Sequence, residues 1–215
     1  MAKYFKYFPK TVYTLANNAT SVDSVTNIMT RVNFDETFVN NSAVYYNYRI
    51  KDGETPEMLA DKIYGSSEKH WIILNYNKIY HPQFDWVLGT NAFNSFVEEK
   101  YISRANTQIG QTGIEWAKQN VYGYYNKTIQ SNVKLNREIS VDITQIDANT
   151  YANTATSTTN TLTLQDGNII KIDTIKYTKS YLEHEDELNE QKRIIKILKP
   201  EFTSAVEDEL KRVTA

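Results

Sequence analysis

Residues Tyr46 to Trp86 carry the densest set of local folding signals in this chain and constrain everything around them. Tyr46, Tyr48 and Ile50 alternate with Asn47 and Arg49, which is the period of a half-buried strand and predicts one over 44–50. Asp52-Gly53 breaks it. Thr55-Pro56-Glu57 then supplies an N-cap, a proline at the first helical position and a carboxylate at the positive end of the helix dipole. Leu59, Ala60, Ile63 and Tyr64 lie on one helical face, and Gly65 stops the helix by taking a left-handed conformation. Ser66 or Ser67 caps a second helix with Trp71, Ile72 and Tyr76 along one face and Leu74 beside it. So short a connection forces the two helices to pack closely. Trp71 is expected in the core and Trp86 at the edge of this unit.

At 215 residues, 40% hydrophobic and 23% charged, the chain has the make-up of a folded protein. A formal net charge of -2 supplies no basic field, so no nucleic-acid partner is expected. Without cysteine there is no disulfide, thiol nucleophile or cysteine-bound zinc, which fits synthesis in a reducing compartment. MAKYFKYFPK lacks an apolar leader core and no apolar run is long enough to span a bilayer, so neither secretion nor a membrane partner is expected. Sixteen tyrosines and eight phenylalanines stand out. Tyrosine buries a ring while offering a hydroxyl, which suits cores and protein interfaces alike.

Four segments follow. Residues 1–43 form an N-terminal arm and helix. The arm, with Tyr4, Phe5, Tyr7 and Phe8, is too aromatic to remain free and should lie on its own chain or on a neighbour. Ser21 or Asp23 caps a predicted helix carrying Val22, Val25, Ile28, Met29 and Val32, followed by a polar link over 33–42. Residues 44–105 hold the strand–helix–helix unit and a third helix, capped by Thr90, with the stripe Phe93, Phe96, Val97 and Tyr101. Residues 106–178 read as an inserted antiparallel β-module: Ile139, Val141 and Ile143 alternate, and Asp166-Gly167 joins two alternating runs as a hairpin turn. Within it, the small polar run 148–160 is expected to be a loop, a hairpin tip or an exposed edge. Residues 179–215 give an acidic-then-basic helix, the strand Arg193 to Leu198, and a last helix opened by Pro200 with Phe202, Val206, Leu210 and Val213. The fold class is therefore α+β.

Chemistry is sparse. His70, His81 and His184 share no ligand spacing, and His184-Glu185 fails as a zinc motif because Leu188 stands where a second histidine is needed. No phosphate loop, nucleophile elbow or dinucleotide fingerprint occurs, so no metal, cofactor or catalytic residue is assigned. Glu98, Glu99 and Glu115 are carboxylates of the kind a glycosidase needs, in contexts where a solvated face is the default.

Strand, Asp-Gly turn, Thr-capped helix with Leu-Ala-x-x-Ile-Tyr-Gly, and a second helix ending near Asn75 together resemble a LysM module, which implies a βααβ fold. A longer likeness, over 40–105 and again over 180–213, is to the LysM-containing baseplate wedge subunit of contractile-tailed phages of the T-even type. That resemblance implies a structural protein of the virion, made in the host cytoplasm, which joins the wedge core to neighbouring wedges around the tail hub. Its partners would be other baseplate wedge proteins and neighbouring wedges. The alternative is a peptidoglycan-binding or cell-wall-lytic protein. In LysM modules the glycan groove lies between two loops, here Asp52 to Pro56 and Asn77 to Pro82. The second runs into Tyr80-His81-Pro82-Gln83-Phe84-Asp85-Trp86, bulky enough to favour protein contacts over sugar. The candidate partner-binding residues are Tyr4, Phe5, Tyr7 and Phe8 in the arm, Asp52, Gly53 and Thr55 in the first loop, and Tyr80, His81, Pro82, Phe84 and Trp86 in the second.

Overall fold

The computed structural model describes residues 4–13, 22–30 and 32–214. In chain order, a short 3-10 turn precedes the hairpin of β1 (Lys10–Tyr13) and β2 (Asp23–Thr26), then come α1 (Glu36–Val39), β3 (Tyr45–Arg49), α2 (Pro56–Tyr64), α3 (His70–Tyr76), α4 (Pro82–Asp85) and α5 (Thr90–Tyr101). These are followed by α6 (Gly113–Gln119), β4 (Val121–Asn132), β5 (Arg137–Ile146), α7 (Ala148–Asn153), β6 (Ser157–Thr163), β7 (Ile169–Ser180), α8 (Tyr181–Gln191), β8 (Ile194–Leu198) and α9 (Thr203–Thr214). The chain divides into two compact units, residues 1–90 with 189–215, and residues 91–188. The insertion is thus wider than the expected 106–178, because helices on either side of the sheet belong with it.

In the first unit, β3 pairs antiparallel with β8, Tyr45 opposite Leu198 and Arg49 opposite Ile194. The strand that completes β3, α2 and α3 therefore arrives from beyond the insertion. α2 forms as its local signals dictate. Thr55 accepts from the Met58 N–H, Pro56 opens the helix, and Gly65 closes it at φ 67° with its N–H donated to Asp61. Thr55→Ala is expected to destabilise the chain by about 1 kcal/mol, the usual worth of an N-cap, in chemical denaturation followed by circular dichroism. α3 is apolar nearly all round because it lies between two cores. Trp71, Ile72 and Tyr76 join Phe8, Val44, Leu198 and Leu210, whereas Ile73 faces Ile50, Leu59, Ile195, Ile197 and Trp86. Asn77, just past α3, ties it to the sheet: its side-chain amide donates to Ile73 and Lys196 carbonyls and accepts from the Lys196 N–H.

The helix predicted over 22–32 is not formed in the described residues 22–30. β2 pairs with β1 there, Lys10 opposite Thr26 and Tyr13 opposite Asp23. Val22 and Val25 are β-branched, and β-branched and Thr side chains on both strands favour the pleated form over the helix that their spacing also permits. The proposed cap Ser21 lies outside the described residues. The polar link contains α1, capped by Asp35, whose carboxylate accepts from Thr37.

In the second unit, the sheet order is β5-β4-β7-β6, all antiparallel. The run 148–160 is divided between α7, capped by Asp147, and the edge strand β6. α5 and α6 meet through Glu98, whose two carboxylate oxygens accept from the N–H groups of Gly113 and Ile114, at 3.0 Å each. Glu115 completes a capping box with Thr112. Tyr101, Trp116 and Tyr181 pack within about 5.5 Å of one another, with the Arg104 guanidinium over all three rings. Glu185 is buried, with Tyr101 Oη at 2.6 Å and Lys100 Nζ at 2.8 Å. Burial works to raise its carboxyl, but those hydrogen bonds and the lysine charge outweigh it and hold the group below the ordinary carboxylate range. A depressed native value means the unfolded chain binds more protons. The stability Glu185 contributes is therefore present at neutral pH and lost as pH falls below about 4. Acid titration of unfolding should show that loss, and Glu185→Gln should flatten it.

Candidate protein-contact surface

The aromatic arm lies on its own chain. Tyr4 stacks on Trp71 with ring centroids 4.9 Å apart, and its hydroxyl accepts from the Asn75 amide at 3.3 Å. Phe8 is 4% exposed and belongs to the core around Trp71, so it is withdrawn as a contact residue. Tyr7 is half-buried beneath the Lys211 ammonium. Phe5 keeps an exposed ring against Phe8.

The first loop is occupied by internal work. Asp52 accepts from both the N–H and the hydroxyl of Thr90, fixing the start of α5. Gly53, at φ 74°, allows Gly89 to approach so closely that a Cβ on Gly89 would sit 3.3 Å from the Gly53 nitrogen. Thr55 is spent on its cap. Trp86, expected at the edge, is 7% exposed. Its indole N–H donates to the Glu54 carbonyl at 2.8 Å while its ring packs in the core that holds Leu59 and Ile79. Trp86 thus bridges the first and second loops. Glu54 is itself pinned: its carboxylate accepts from Tyr48, Lys51 and Lys62.

What remains open is the other side of the second loop. A groove of about 320 Å³ is lined by Tyr4, Phe5, Ile28, Trp71, Tyr80 and Pro82. It brings four of the candidate residues together and recruits Ile28, which the sequence had assigned to a helix stripe. A second groove of about 490 Å³ shares Trp71 and Asn75 with it and continues over Phe34, Phe38, Val206 and Val213. Tyr80 donates its hydroxyl to Asn33 at 3.0 Å and keeps an exposed ring. His81 is exposed, its N–H held by Asp85. Phe84, on α4, is 69% exposed, a large apolar ring presented to solvent. The lining is apolar and aromatic with few charges, the composition of an interface centre rather than of a reaction site.

Among the described residues no three His, Asp or Glu side chains converge as a metal site requires, and no helix is long and apolar enough to cross a membrane. The carboxylates considered for hydrolysis are held by helix N-termini: Glu98 by α6 and Glu115 by its capping box. His184 stacks on Tyr122 with centroids 3.6 Å apart, and Glu185 is the buried partner of Lys100.

A family model described as base plate wedge protein 53 matches residues 3–213. Baseplate wedge protein gp53 of Enterobacteria phage T4 is 34% identical over 62 residues, 29% of this chain and 32% of that protein. The matched segment thus spans about a third of the length of the curated relative.

Proposed function

The chain belongs to the base plate wedge protein 53 family, and from that premise we propose that it is a structural subunit joining the wedge core to neighbouring wedges around the tail hub. Its contacts run through the aromatic grooves beside Trp71 and the second loop. On this reading β3, α2, α3 and β8 form a LysM-like βααβ scaffold turned from carbohydrate to protein. The observation that carries it is the placement of Trp86 and Phe84, two residues apart. One bridges the two loops through its indole N–H, and the other stands exposed on α4, the element whose Pro82 lines one groove.

The test is incorporation into assembled baseplates. Phe84→Glu combined with Phe5→Glu changes two exposed rings, and unfolding measured alongside separates a loss of Phe5 packing on Tyr4 and Phe8 from a loss of contact. Placing charge in a desolvated contact should lower the amount of chain in purified tails by about tenfold or more. Wild-type incorporation of the double variant contradicts the proposed surface. Retention on insoluble peptidoglycan with loss of turbidity would instead support a wall-directed role.

A further inference from the structure

The four-stranded sheet of the second unit ends on two edge strands that are finished differently. β5 is one of them. It carries Arg137, Glu138 and Asp142, and its register to β4 is broken between Gln130 and Ser131. Charges and irregularities keep an edge strand from pairing with other chains. β6 is the other. Its seven residues, Ser157–Thr163, are all exposed, pair with β7 without a break, and include no charge, proline or glycine. Among the described residues it is the one strand without a charged side chain. No described strand lies on its outer side. The phase of the ladder fixes what that side offers. The Leu164 N–H donates to the Asn168 carbonyl at 2.8 Å and the Lys176 N–H to the Thr156 carbonyl at 3.1 Å, so even-numbered residues turn their backbone groups to β7. Ser157, Thr159, Thr161 and Thr163 turn theirs outward.

We propose that the β6 edge pairs antiparallel with β6 of a second copy of this chain, across a two-fold axis through Asn160. The proposal goes beyond the baseplate reading and does not depend on it. In that register Thr159 stands opposite Thr161 of the second copy and Ser157 opposite Thr163, so the outward residues all fall in hydrogen-bonded pairs. Threonine pairs across strands are favourable. Asn160 meets its own counterpart, and an amide both donates and accepts. The nearest charges are Lys171 and Asp173 on β7, which pair with each other at 2.8 Å. Two-fold pairing sets Lys171 of one copy in the row of Asp173 of the other, so no like charges meet. Every other described strand would bring a charge to this edge, which favours β6 as its own match. The contact also closes. It uses both unguarded edges at once and leaves one continuous sheet bounded at each end by a charged β5, so it makes a pair and not a fibre. Pairing a single edge buries well under the ~800 Å² per side of a stable complex, so the pair forms reversibly and rises with concentration.

The chain has no cysteine, so a single introduced cysteine reports alone. In the full-length chain under mild oxidation, Asn160→Cys should form a disulfide-linked dimer about tenfold or more faster than Thr163→Cys. At the two-fold axis the Cα atoms approach to about 4.5 Å, within disulfide reach, whereas position 163 lies roughly 20 Å from its counterpart. Equal cross-linking of the two overturns the register. In sedimentation equilibrium the wild-type chain should show a concentration-dependent dimer. Asn160 is exposed. Asn160→Lys sets two ammonium groups face to face and should weaken the dimer about tenfold or more, while Asn160→Thr retains it. A wild-type chain that stays monomeric to about 1 mM overturns the proposal. A dimer indifferent to Asn160→Lys overturns it too, and places self-association on another surface. A monomeric free chain whose Asn160→Lys variant is lost from assembled baseplates identifies a strand of another protein as the occupant, and equally overturns the second copy.

Discussion

Trp86→Ala is expected to lower the stability of the first unit by about 3–5 kcal/mol, as truncation of a buried aromatic does. Two losses combine. The ring leaves a cavity in the core that holds Ile50, Leu59, Ala60 and Ile73, residues at the end of β3 and on two helices that cannot all collapse into it. The indole N–H also disappears, leaving the Glu54 carbonyl without its donor in the loop that sets the start of α2. Trp86→Phe keeps most of the packing and loses the donor, so it should cost about 1–3 kcal/mol. Chemical denaturation followed by far-ultraviolet circular dichroism distinguishes the cases. A loss below about 1 kcal/mol for Trp86→Ala would return the residue to the rim and reopen the space between the two loops.

Gly113→Ala should destabilise the second unit by about 2–3 kcal/mol or more. A Cβ at Gly113 would lie 2.4 Å from the Glu98 carbonyl oxygen and 2.8 Å from the Ile102 nitrogen. Both are backbone atoms, so no side-chain rotation relieves the clash. α6 must retreat from α5, and the Glu98 carboxylate then loses its hold on the Gly113 and Ile114 N–H groups. Gly110→Ala is the control. Its φ of 76° is strained for alanine, but nothing lies within 4 Å, so it should cost only about 1 kcal/mol. Equal effects of the two substitutions would show that close packing of α5 and α6 is not what demands glycine at 113.

The elements legible in the sequence were those whose signals are local. Thr55, Pro56 and Gly65 bracket α2 without reference to anything distant, and Asp166-Gly167 does the same for the β6–β7 hairpin. β5 was readable because Ile139, Val141 and Ile143 alternate so plainly, although they face outward. β4 was missed because it lies between two other strands and mixes Tyr, Asn, Lys and Ile without a simple period. Residues 22–32 were misread because valines spaced by three satisfy a helical pattern as well as a short strand, and pairing with β1 decided the matter. The union of β3 with β8 depends on strands at opposite ends of an insertion, which no local window contains.

The candidate contact surface was legible in part for the same reason. An excess of aromatic side chains in the arm and second loop was visible, but which rings the chain keeps for itself is a tertiary outcome. Phe8 and Trp86 went inward, whereas Phe5, Tyr80, Pro82 and Phe84 stayed at the surface. Asp52, Gly53 and Thr55 proved to be folding devices. Ile28 and Val213 were read as helix-stripe residues, and their place in the grooves was not legible because the groove walls meet only once α3 and α9 are in place.

On the proposed reading, this chain is built into the tail baseplate by burying its aromatic grooves against other subunits. Cryo-electron microscopy of the intact, uncontracted tail tests it most directly. Expected is density for the chain in each wedge, with Phe5, Tyr80 and Phe84 covered by neighbouring proteins and the Trp86 bridge intact. Density showing those rings open to solvent, or a sugar chain between the Asp52 and Asn77 loops, would contradict it.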